Sequence, residues 1–276
     1  MPPPSSAALV TRLRVAGCVF AEEEAALLTA AAASPAALEA LVRQRVSGLP
    51  LEQVLGWAEF CGLRVPVRPG VFVPRRRTEL LARQALALTS PGAVVVELCC
   101  GAAAVSLVLA AAHPDLDLHA TDLDPTAVAC AADNLRGRAE VVQGDLYAAL
   151  PSRLRRRVDV LVANAPYVPT ASIALMPPEA REHEPAVALD GGGDGLDVLR
   201  RVVSGATGWL APGGRLLFEC SERQLRPVTA AVRAAGLVPG ARRDRELEAT
   251  VVVAHRPTWL SRSAGRRRAP ARGRHG

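Results

Sequence analysis

From residue 78 onward, short apolar runs with the character of strands alternate with segments that have helical periodicity. The strands are expected at residues 93–98, 117–121, 140–143, 158–163, 214–219 and 248–255. The helices are expected at residues 79–89, 103–112, 125–135, 196–210 and 225–235. Because helices provide the crossovers between parallel strands, this alternation predicts an α/β fold with a doubly wound parallel sheet. Ligand-binding loops are then expected at the carboxyl ends of the strands.

The first third of the chain has a different pattern. Residues 5–48 place apolar side chains at helical spacing, and Ser34-Pro35 provides an N-cap followed by proline at the first helical position. The alternation that follows predicts a hairpin with its turn near Cys61-Gly62. We therefore expect four regions, namely a small N-terminal helical domain for substrate recognition (1–49), a hairpin linker (50–77), the sheet domain (78–257) and an Arg-rich tail (258–276).

The basic charge of the chain is concentrated in this tail. Of the 33 basic residues, six arginines lie between residues 262 and 274, and the other 27 balance the 27 acidic residues. A tail of Arg, Gly, Pro and Ser is typical of disordered segments, so we expect it to be disordered. It is able to make weak, non-specific contact with RNA or the ribosome, although a solvated tail without function is favoured.

Cysteine usage and hydropathy indicate the compartment. The six cysteines form no CxxC pair, so we expect free thiols and no metal site. The start of the chain lacks the order of a signal peptide, and no apolar run is long enough to span a bilayer. These features favour a cytoplasmic protein without a membrane contact.

Three loops that follow predicted strands carry residues suited to a nucleoside cofactor. The small residues of the first loop, 99–103, allow a ligand to approach the backbone at a helix N-terminus. Asp122 ends the second strand, where a carboxylate is able to accept both hydroxyls of a ribose. Asp145 follows the third strand and is placed to contact an adenine edge, with Leu146 packing on the ring. These loops allow either NAD or S-adenosylmethionine.

The fourth loop, Asn164-Ala165-Pro166-Tyr167, distinguishes between the two cofactors. A planar amide or aromatic amine is a poor nucleophile because its lone pair is delocalised. The side-chain carbonyl of Asn164 and the main-chain carbonyl of Ala165 are able to accept from one NH2 group, which favours positive charge on that nitrogen. Tyr167 is able to pack over the planar group. This arrangement fits methyl transfer from a sulfonium to a planar nitrogen, and it needs no hydride.

At these motifs the chain resembles the HemK/PrmC-type protein-(glutamine-N5) methyltransferases, which modify peptide-chain release factors. The likeness extends to about residue 257 and rests on four blocks, residues 50–81, 94–103, 158–169 and 182–202. The first and last blocks, PLEQVLGWAEFCGLRVPVRPGVFVPRRRTELL and EHEPAVALDGGGDGLDVLRRV, are the more specific ones. The resemblance implies a Rossmann-like class I methyltransferase sheet domain with a small N-terminal helical domain.

The resemblance also implies the cofactor, the partner and the site. The cofactor is S-adenosyl-L-methionine, and the partner is a peptide-chain release factor whose Gly-Gly-Gln loop carries the substrate glutamine. The residues expected to bind the cofactor are Glu97, Cys99, Cys100, Gly101, Ala102, Ala103, Asp122, Asp145, Leu146 and Asn164. The residues expected at the reacting amide are Asn164, Ala165, Pro166 and Tyr167.

The chain departs from the family pattern at three motifs, which suggests a divergent branch. Cys99 and Ala103 stand where the family has glycines, so the backbone there needs negative φ or is strained. The Pro-Arg-Pro-Glu-Thr-Glu motif becomes PRRRTE at residues 74–79. Ala165 replaces the first proline of the Asn-Pro-Pro-Tyr loop and keeps the carbonyl while giving up the locked φ.

Three other functions remain open at this point. An enzyme that methylates an exocyclic amine of a nucleic acid, such as an adenine N6 enzyme, would use the same loop after base flipping. A neutral body and the absence of a target-recognition domain argue against it. A binding module whose cofactor affinity is lost through the altered glycine loop is the second. A NAD-dependent oxidoreductase is the most distant, because no proton-relay residue stands near the first loop.

Overall fold

The computed structural model of the protein describes residues 6–258. The predicted Arg-rich tail lies outside these residues, except for its first residue. The chain begins with a helical unit made of α1 (Ser6–Val15), α2 (Ala21–Ala31) and α3 (Pro35–Val46). Ser34 caps α3 as the sequence predicts, because its hydroxyl accepts from the Ala37 N–H at 3.1 Å. Leucine and valine side chains of the three helices form a separate apolar core.

A short helix and a hairpin follow. They are α4 (Leu51–Leu55), β1 (Trp57–Phe60) and β2 (Leu63–Pro66). The two residues of the turn, Cys61 and Gly62, have φ of 50° and 76°. Positive φ at both central residues is what a type I′ hairpin turn requires, so the predicted turn position is confirmed.

The rest of the chain builds one seven-stranded sheet in the order β5-β4-β3-β6-β7-β9-β8. Its strands are β3 (Val94–Leu98), β4 (Asp117–Asp122), β5 (Glu140–Gln143), β6 (Val158–Ala163), β7 (Leu210–Glu219), β8 (Val238–Asp244) and β9 (Ala249–His255). The five strands from β5 to β7 are parallel, so their carboxyl ends meet at one edge of the sheet. The β3 and β6 strands lie in the middle of the sheet and are buried on both faces.

The prediction of a wholly parallel sheet is wrong at β9. β9 is antiparallel to β7, and β8 is antiparallel to β9. The β8 strand was not predicted, because VPGARRD combines proline, glycine and charged side chains that disfavour strands. Pairing with β9 along its whole length outweighs this weak local preference.

Helices cover both faces of the sheet. They are α5 (Glu79–Leu88), α6 (Ala104–Ala112), α7 (Pro125–Asn134), α10 (Asp197–Ala206) and α11 (Leu225–Ala234). Two short helices, α8 (Pro178–His183) and α9 (Ala186–Leu189), lie in the segment between β6 and α10. One apolar core joins α5, α6, α7 and the hairpin to the first face. A second core joins α10 and α11 to the opposite face. The predicted doubly wound α/β architecture is confirmed. Within residues 6–258, no helix combines the length and the apolar character needed to cross a membrane.

Candidate active site

The loop that follows β3 has an unusual backbone. Cys99, Gly101 and Ala103 have φ of 54°, 54° and 57°, all in the left-handed region. Left-handed backbone costs a residue with a Cβ about 1–2 kcal/mol, a penalty that glycine avoids. Of the two options left by the sequence, negative φ or strain, the structure shows strain at Cys99 and Ala103.

Two carboxylates hold this loop in place. Glu97, near the end of β3, accepts hydrogen bonds from the backbone N–H of Ser106 at 2.8 Å and from the Ser106 hydroxyl. Asp122, at the end of β4, accepts from the Gly101 N–H at 2.8 Å and from the Asp124 N–H at 3.0 Å. Burial raises the pKa of Glu97 to about 7 and also raises the pKa of Asp122. The loop is therefore supported from two neighbouring strands.

The residues after β5 lie at the rim of the same region. Asp145 accepts a hydrogen bond from the Arg201 guanidinium at 2.6 Å, and both side chains are about half exposed. Leu146 is buried, and its φ of 50° is again in the left-handed region. The Asp145 carboxylate is thus held by α10 at the opening, whereas Leu146 faces inward. Arg201 was not identified from the sequence, because its partner lies 56 residues away along the chain.

These loops enclose one cavity, here called the cofactor cavity. Nine of the residues predicted to bind the cofactor line it, namely Glu97, Cys99, Cys100, Gly101, Ala102, Asp122, Asp145, Leu146 and Asn164. Ala103 does not line it, because its side chain is fully buried in the core below the loop. A Cβ at Gly101 would meet nothing within 4 Å, so this part of the loop is open toward a ligand.

The Asn164-Ala165-Pro166-Tyr167 loop leaves β6 at the centre of the sheet edge. The Oδ1 atom of Asn164 is buried, and no donor among residues 6–258 forms a hydrogen bond to it. Its Nδ2 atom lies 3.5 Å from Thr78 Oγ1. An unpaired buried carbonyl costs about 1–3 kcal/mol, which a ligand N–H would recover.

The other end of this loop is fixed by β7 and the helix after it. The Tyr167 hydroxyl donates to Glu219 at 2.5 Å, and burial raises the pKa of Tyr167. The main-chain carbonyl of Tyr167 accepts from the Gln224 side chain at 2.9 Å. Glu219 also accepts from Thr78 Oγ1 at 2.9 Å. Thr78 and Glu219 were not assigned a role from the sequence. Glu219 ends a strand at the same edge of the sheet as Asp122 and Asn164, and this position is the signal that could have marked it.

A second cavity, here called the acceptor cavity, lies beyond this loop. It has a volume of about 610 Å³ and is lined by Asn164, Ala165, Pro166 and Tyr167 together with charged side chains of the PRRRTE motif and of residues 179–184. The two cavities share five residues, namely Phe72, Thr78, Asn164, Pro166 and Ala188. Asn164 and Pro166 therefore stand in a common wall through which two ligands could meet.

The comparison with known sequences agrees with this geometry. Residues 63–176 match the family profile described as the methyltransferase small domain. Several relatives are named release factor glutamine methyltransferase. The one from Cereibacter sphaeroides is 40% identical, over 73% of this chain and 72% of its own length. This chain belongs to the release factor glutamine methyltransferase family. The predicted resemblance is thereby confirmed.

The family also has a relative with a different name. A protein of Streptomyces pristinaespiralis named 4-amino-L-phenylalanine/4-methylamino-L-phenylalanine methyltransferase is 38% identical, over 71% of this chain and 69% of its own length. Among solved structures, a methyltransferase from Pyrococcus furiosus has a TM-score of 0.53 at 16% identity and covers 71% of this chain and 89% of that one. This likeness supports the class I methyltransferase fold predicted from the sequence.

S-adenosylmethionine is the cofactor of this methyltransferase family, and the residues of the cofactor cavity fit it. The opening at Gly101 admits a ligand to the backbone. Each oxygen of Asp122 accepts one N–H bond and keeps a lone pair for a ligand hydroxyl. The thiols of Cys99 and Cys100 stay protonated at neutral pH, because burial raises the pKa of both. The loop is thus small and uncharged, and it sets no thiolate nucleophile beside the methyl donor.

Proposed function

We propose that this protein transfers a methyl group from S-adenosylmethionine to the side-chain amide nitrogen (N5) of a glutamine in a peptide-chain release factor. The glutamine would be that of the Gly-Gly-Gln loop. The observation that carries this proposal is the buried, unpartnered Asn164 Oδ1 in the wall between the two cavities. The names of the relatives support the choice of substrate.

Asn164 would act on the acceptor nitrogen by accepting one of its N–H groups. The main-chain carbonyl of Ala165 would accept the other, so that the NH2 group is held in one plane. Positive charge builds on this nitrogen as it gains a methyl group, and both N–H groups then become stronger donors. The two carbonyls therefore stabilise the transition state more than the bound substrate, which is the requirement for a faster reaction. The nitrogen finally releases one proton to water.

The cofactor cavity would hold S-adenosylmethionine, which supplies an electrophilic methyl group on its sulfonium. Asp122 would accept the ribose hydroxyls, and Leu146 would pack against the adenine. The loop at residues 99–102 would line the methionine part. Asp145 would stay paired with Arg201 at the rim and contribute an acceptor to the adenine edge.

The acceptor cavity would receive the substrate chain, with Tyr167 packed against the planar amide. Its walls include residues of the hairpin linker and of α8, and α8 in turn contacts the N-terminal helices through the Glu179–Arg45 ion pair at 2.7 Å. This continuity supports a role for residues 1–49 in recognising the release factor. We place the reaction in the cytoplasm, where free thiols such as those of all six cysteines persist.

An aromatic amine of a free amino acid is the second candidate acceptor. The relative from Streptomyces pristinaespiralis is named for such a substrate. Arg77 lines the acceptor cavity and is half exposed, with Glu219 as its neighbour at 3.8 Å. Its guanidinium would be available to a substrate carboxylate, which a free amino acid has and an internal glutamine lacks.

Transfer of tritium from labelled S-adenosylmethionine would distinguish the two acceptors. Purified release factor, release factor with its Gly-Gly-Gln glutamine changed to alanine, and 4-aminophenylalanine would be offered in parallel. We expect label in the unchanged release factor and none in the alanine variant. Label in 4-aminophenylalanine alone would replace the proposal by the second candidate. Binding of S-adenosylhomocysteine, measured by calorimetry in the same preparation, would show that an unlabelled result comes from a wrong acceptor.

A further inference from the structure

A line of hydrogen bonds connects Asn164 to a buried carboxylate. Asn164 Nδ2 lies 3.5 Å from Thr78 Oγ1, and Thr78 Oγ1 lies 2.9 Å from Glu219 Oε2. Thr78 is 4% exposed and Glu219 is 2% exposed, so water does not compete for these groups. The three residues come from the loop after β6, from the turn before α5 and from the end of β7.

The chemistry of the carboxylate sets the direction of every hydrogen bond in this line. An ionised carboxylate has no proton to donate, so the Thr78 hydroxyl must direct its proton to Glu219. The Thr78 oxygen then offers only a lone pair to Asn164. A lone pair is satisfied by the NH2 side of the Asn164 amide and not by its carbonyl. The carbonyl oxygen is consequently turned away from Thr78, into the wall between the two cavities.

The second oxygen of Glu219 is fixed as well. It accepts from the Tyr167 hydroxyl at 2.5 Å, with the Arg77 guanidinium 3.8 Å away. The carboxylate is thus held at both ends and cannot rotate out of line with Thr78. Glu219 is linked to both ends of the Asn164-Ala165-Pro166-Tyr167 loop, here called the acceptor loop. The link to Tyr167 is direct, and the link to Asn164 runs through Thr78.

We propose that Thr78 and Glu219 are positioning residues, which orient the side-chain amide of Asn164 so that its oxygen faces the acceptor nitrogen. This inference rests on the proposed function of Asn164. If the Asn164 amide were reversed, its NH2 group would face the NH2 group of the substrate, and the substrate N–H would have no hydrogen-bond acceptor on this side chain. The aligned bonds also polarise the Asn164 carbonyl toward its oxygen, because hydrogen bonds in a chain strengthen one another. Both effects act mainly on kcat, because the bond from the acceptor nitrogen to Asn164 strengthens as positive charge builds in the transition state.

Kinetics of a small set of variants would test this role. Thr78→Val has nearly the same shape but lacks the hydroxyl, and we expect kcat to fall about 10²-fold with KM within about threefold. Thr78→Ser restores the hydroxyl and should restore kcat. Glu219→Gln removes the charge and allows either direction of the Thr78 bond, so we expect a smaller loss of about tenfold. The matched control is Glu222→Gln, an exposed carboxylate three residues further on that pairs with Arg243, and it should leave kcat unchanged.

A double-mutant cycle would show whether Thr78 acts through Asn164. In the Asn164→Ala background, Thr78→Val should have almost no further effect on kcat. Independent effects that multiply would overturn the inference, as would a Thr78→Ser variant that remains as slow as Thr78→Val.

A measurement that requires no substrate separates this inference from the proposed function. The side-chain NH2 signals of Asn164 can be identified in a ¹⁵N NMR spectrum by their loss in Asn164→Ala. In the wild type we expect protons that exchange slowly and are shifted by the bond to Thr78, and both features should disappear in Thr78→Val. If the wild type fails to label a release factor, the proposed function fails while this spectrum still decides the inference. Signals that are unchanged in Thr78→Val would overturn it.

Discussion

The Glu97 carboxylate on β3 holds Ser106 on α6 by two hydrogen bonds, one from its backbone N–H at 2.8 Å and one from its hydroxyl. This contact joins the strand to the helix across the strained loop between them. It also satisfies an N–H group in the first turn of α6, where a helix has no internal partner for it. The carboxylate is nonetheless buried, and its pKa rises from an ordinary value of 4.5 to about 7.

The first prediction concerns the pH dependence of stability. The folded protein binds the Glu97 proton more tightly than the unfolded chain does, so ionisation disfavours the fold. The contribution of this group is complete below pH 4.5 and is lost as the pH rises through about 7. The free energy of unfolding of the wild type should therefore fall by on the order of 3 kcal/mol between pH 5 and pH 8 because of this group. Glu97→Gln is neutral at both pH values and should not show this fall. Urea unfolding of both proteins at the two pH values measures this difference. An equal fall in the free energy of unfolding of both proteins would mean that the pKa of Glu97 is not raised in the folded protein.

The second prediction concerns the left-handed backbone of Ala103. Replacing Ala103 by glycine relieves strain of about 1–2 kcal/mol, while the more flexible unfolded chain and the loss of one buried methyl group, about 0.8 kcal/mol, take back most of that gain. We therefore expect Ala103→Gly to raise the free energy of unfolding by up to about 1 kcal/mol. The control is Ala102→Gly, at a neighbouring position without positive φ, which should lower the free energy of unfolding by about 0.5–1 kcal/mol. Opposite signs of the two changes in thermal or urea unfolding are the decisive result.

The third prediction concerns Asp122 and cofactor affinity. Both oxygens of its carboxylate accept backbone N–H groups, from Gly101 and Asp124. Asp122→Asn would set an NH2 group against one of these donors and would remove one acceptor for a ligand hydroxyl. We expect the affinity for S-adenosylhomocysteine to fall about 10- to 100-fold, equivalent to about 1.4–2.7 kcal/mol. Asp133→Asn is the control in calorimetry, because this acid on α7 lies outside the cofactor cavity and pairs with Arg68 and Arg136. Equal affinities for all three proteins would remove Asp122 from the cofactor site.

The fourth prediction concerns the acceptor loop. Asn164→Ala removes the unpartnered oxygen, and we expect single-turnover methylation to slow about 10²-fold or more. Ala165→Pro keeps the main-chain carbonyl and should retain activity. A wild-type rate in Asn164→Ala would show that the loop only turns the chain.

The fifth prediction concerns the attachment of the N-terminal helices. The Arg45 side chain is 6% exposed and is paired with Glu24 at 2.5 Å and with Glu179 at 2.7 Å. Arg45→Ala leaves the buried Glu24 unpaired, so we expect a loss of about 3–5 kcal/mol. Arg12→Ala breaks an exposed pair with Glu39 in the same unit and should cost less than about 1 kcal/mol. Urea unfolding measures the free energy of unfolding of both variants. Similar losses would mean that the buried ion pair contributes no more to stability than the exposed one.

Most of the strands could be predicted because each is a short apolar run that ends in a polar residue. β5 and β6 were placed with their observed bounds, and residues of the loops at their carboxyl ends line the cofactor cavity. The edge strand β8 could not be predicted in this way, because its stability comes from pairing with β9 and not from its own residues.

The details of the site were less accessible from sequence. Local preference favours negative φ at Cys99 and Ala103, and only the packing of the completed sheet imposes the opposite sign. The line from Asn164 through Thr78 to Glu219 joins residues 86 and 141 positions apart. No local pattern in one sequence reports a contact of that range, although the polar end of β7 marks Glu219 as a candidate.

The proline and charged residues that kept β8 from being predicted have a consequence at the edge of the sheet. Among residues 6–258, β8 pairs with β9 on one side only, so its other side would be open to a strand from another molecule. Pro239 offers no N–H there, and the exposed Arg242 would bring like charges together. Prolines and charged side chains on an edge strand discourage such pairing. The residues that make β8 a poor strand thus protect the protein against edge-to-edge aggregation.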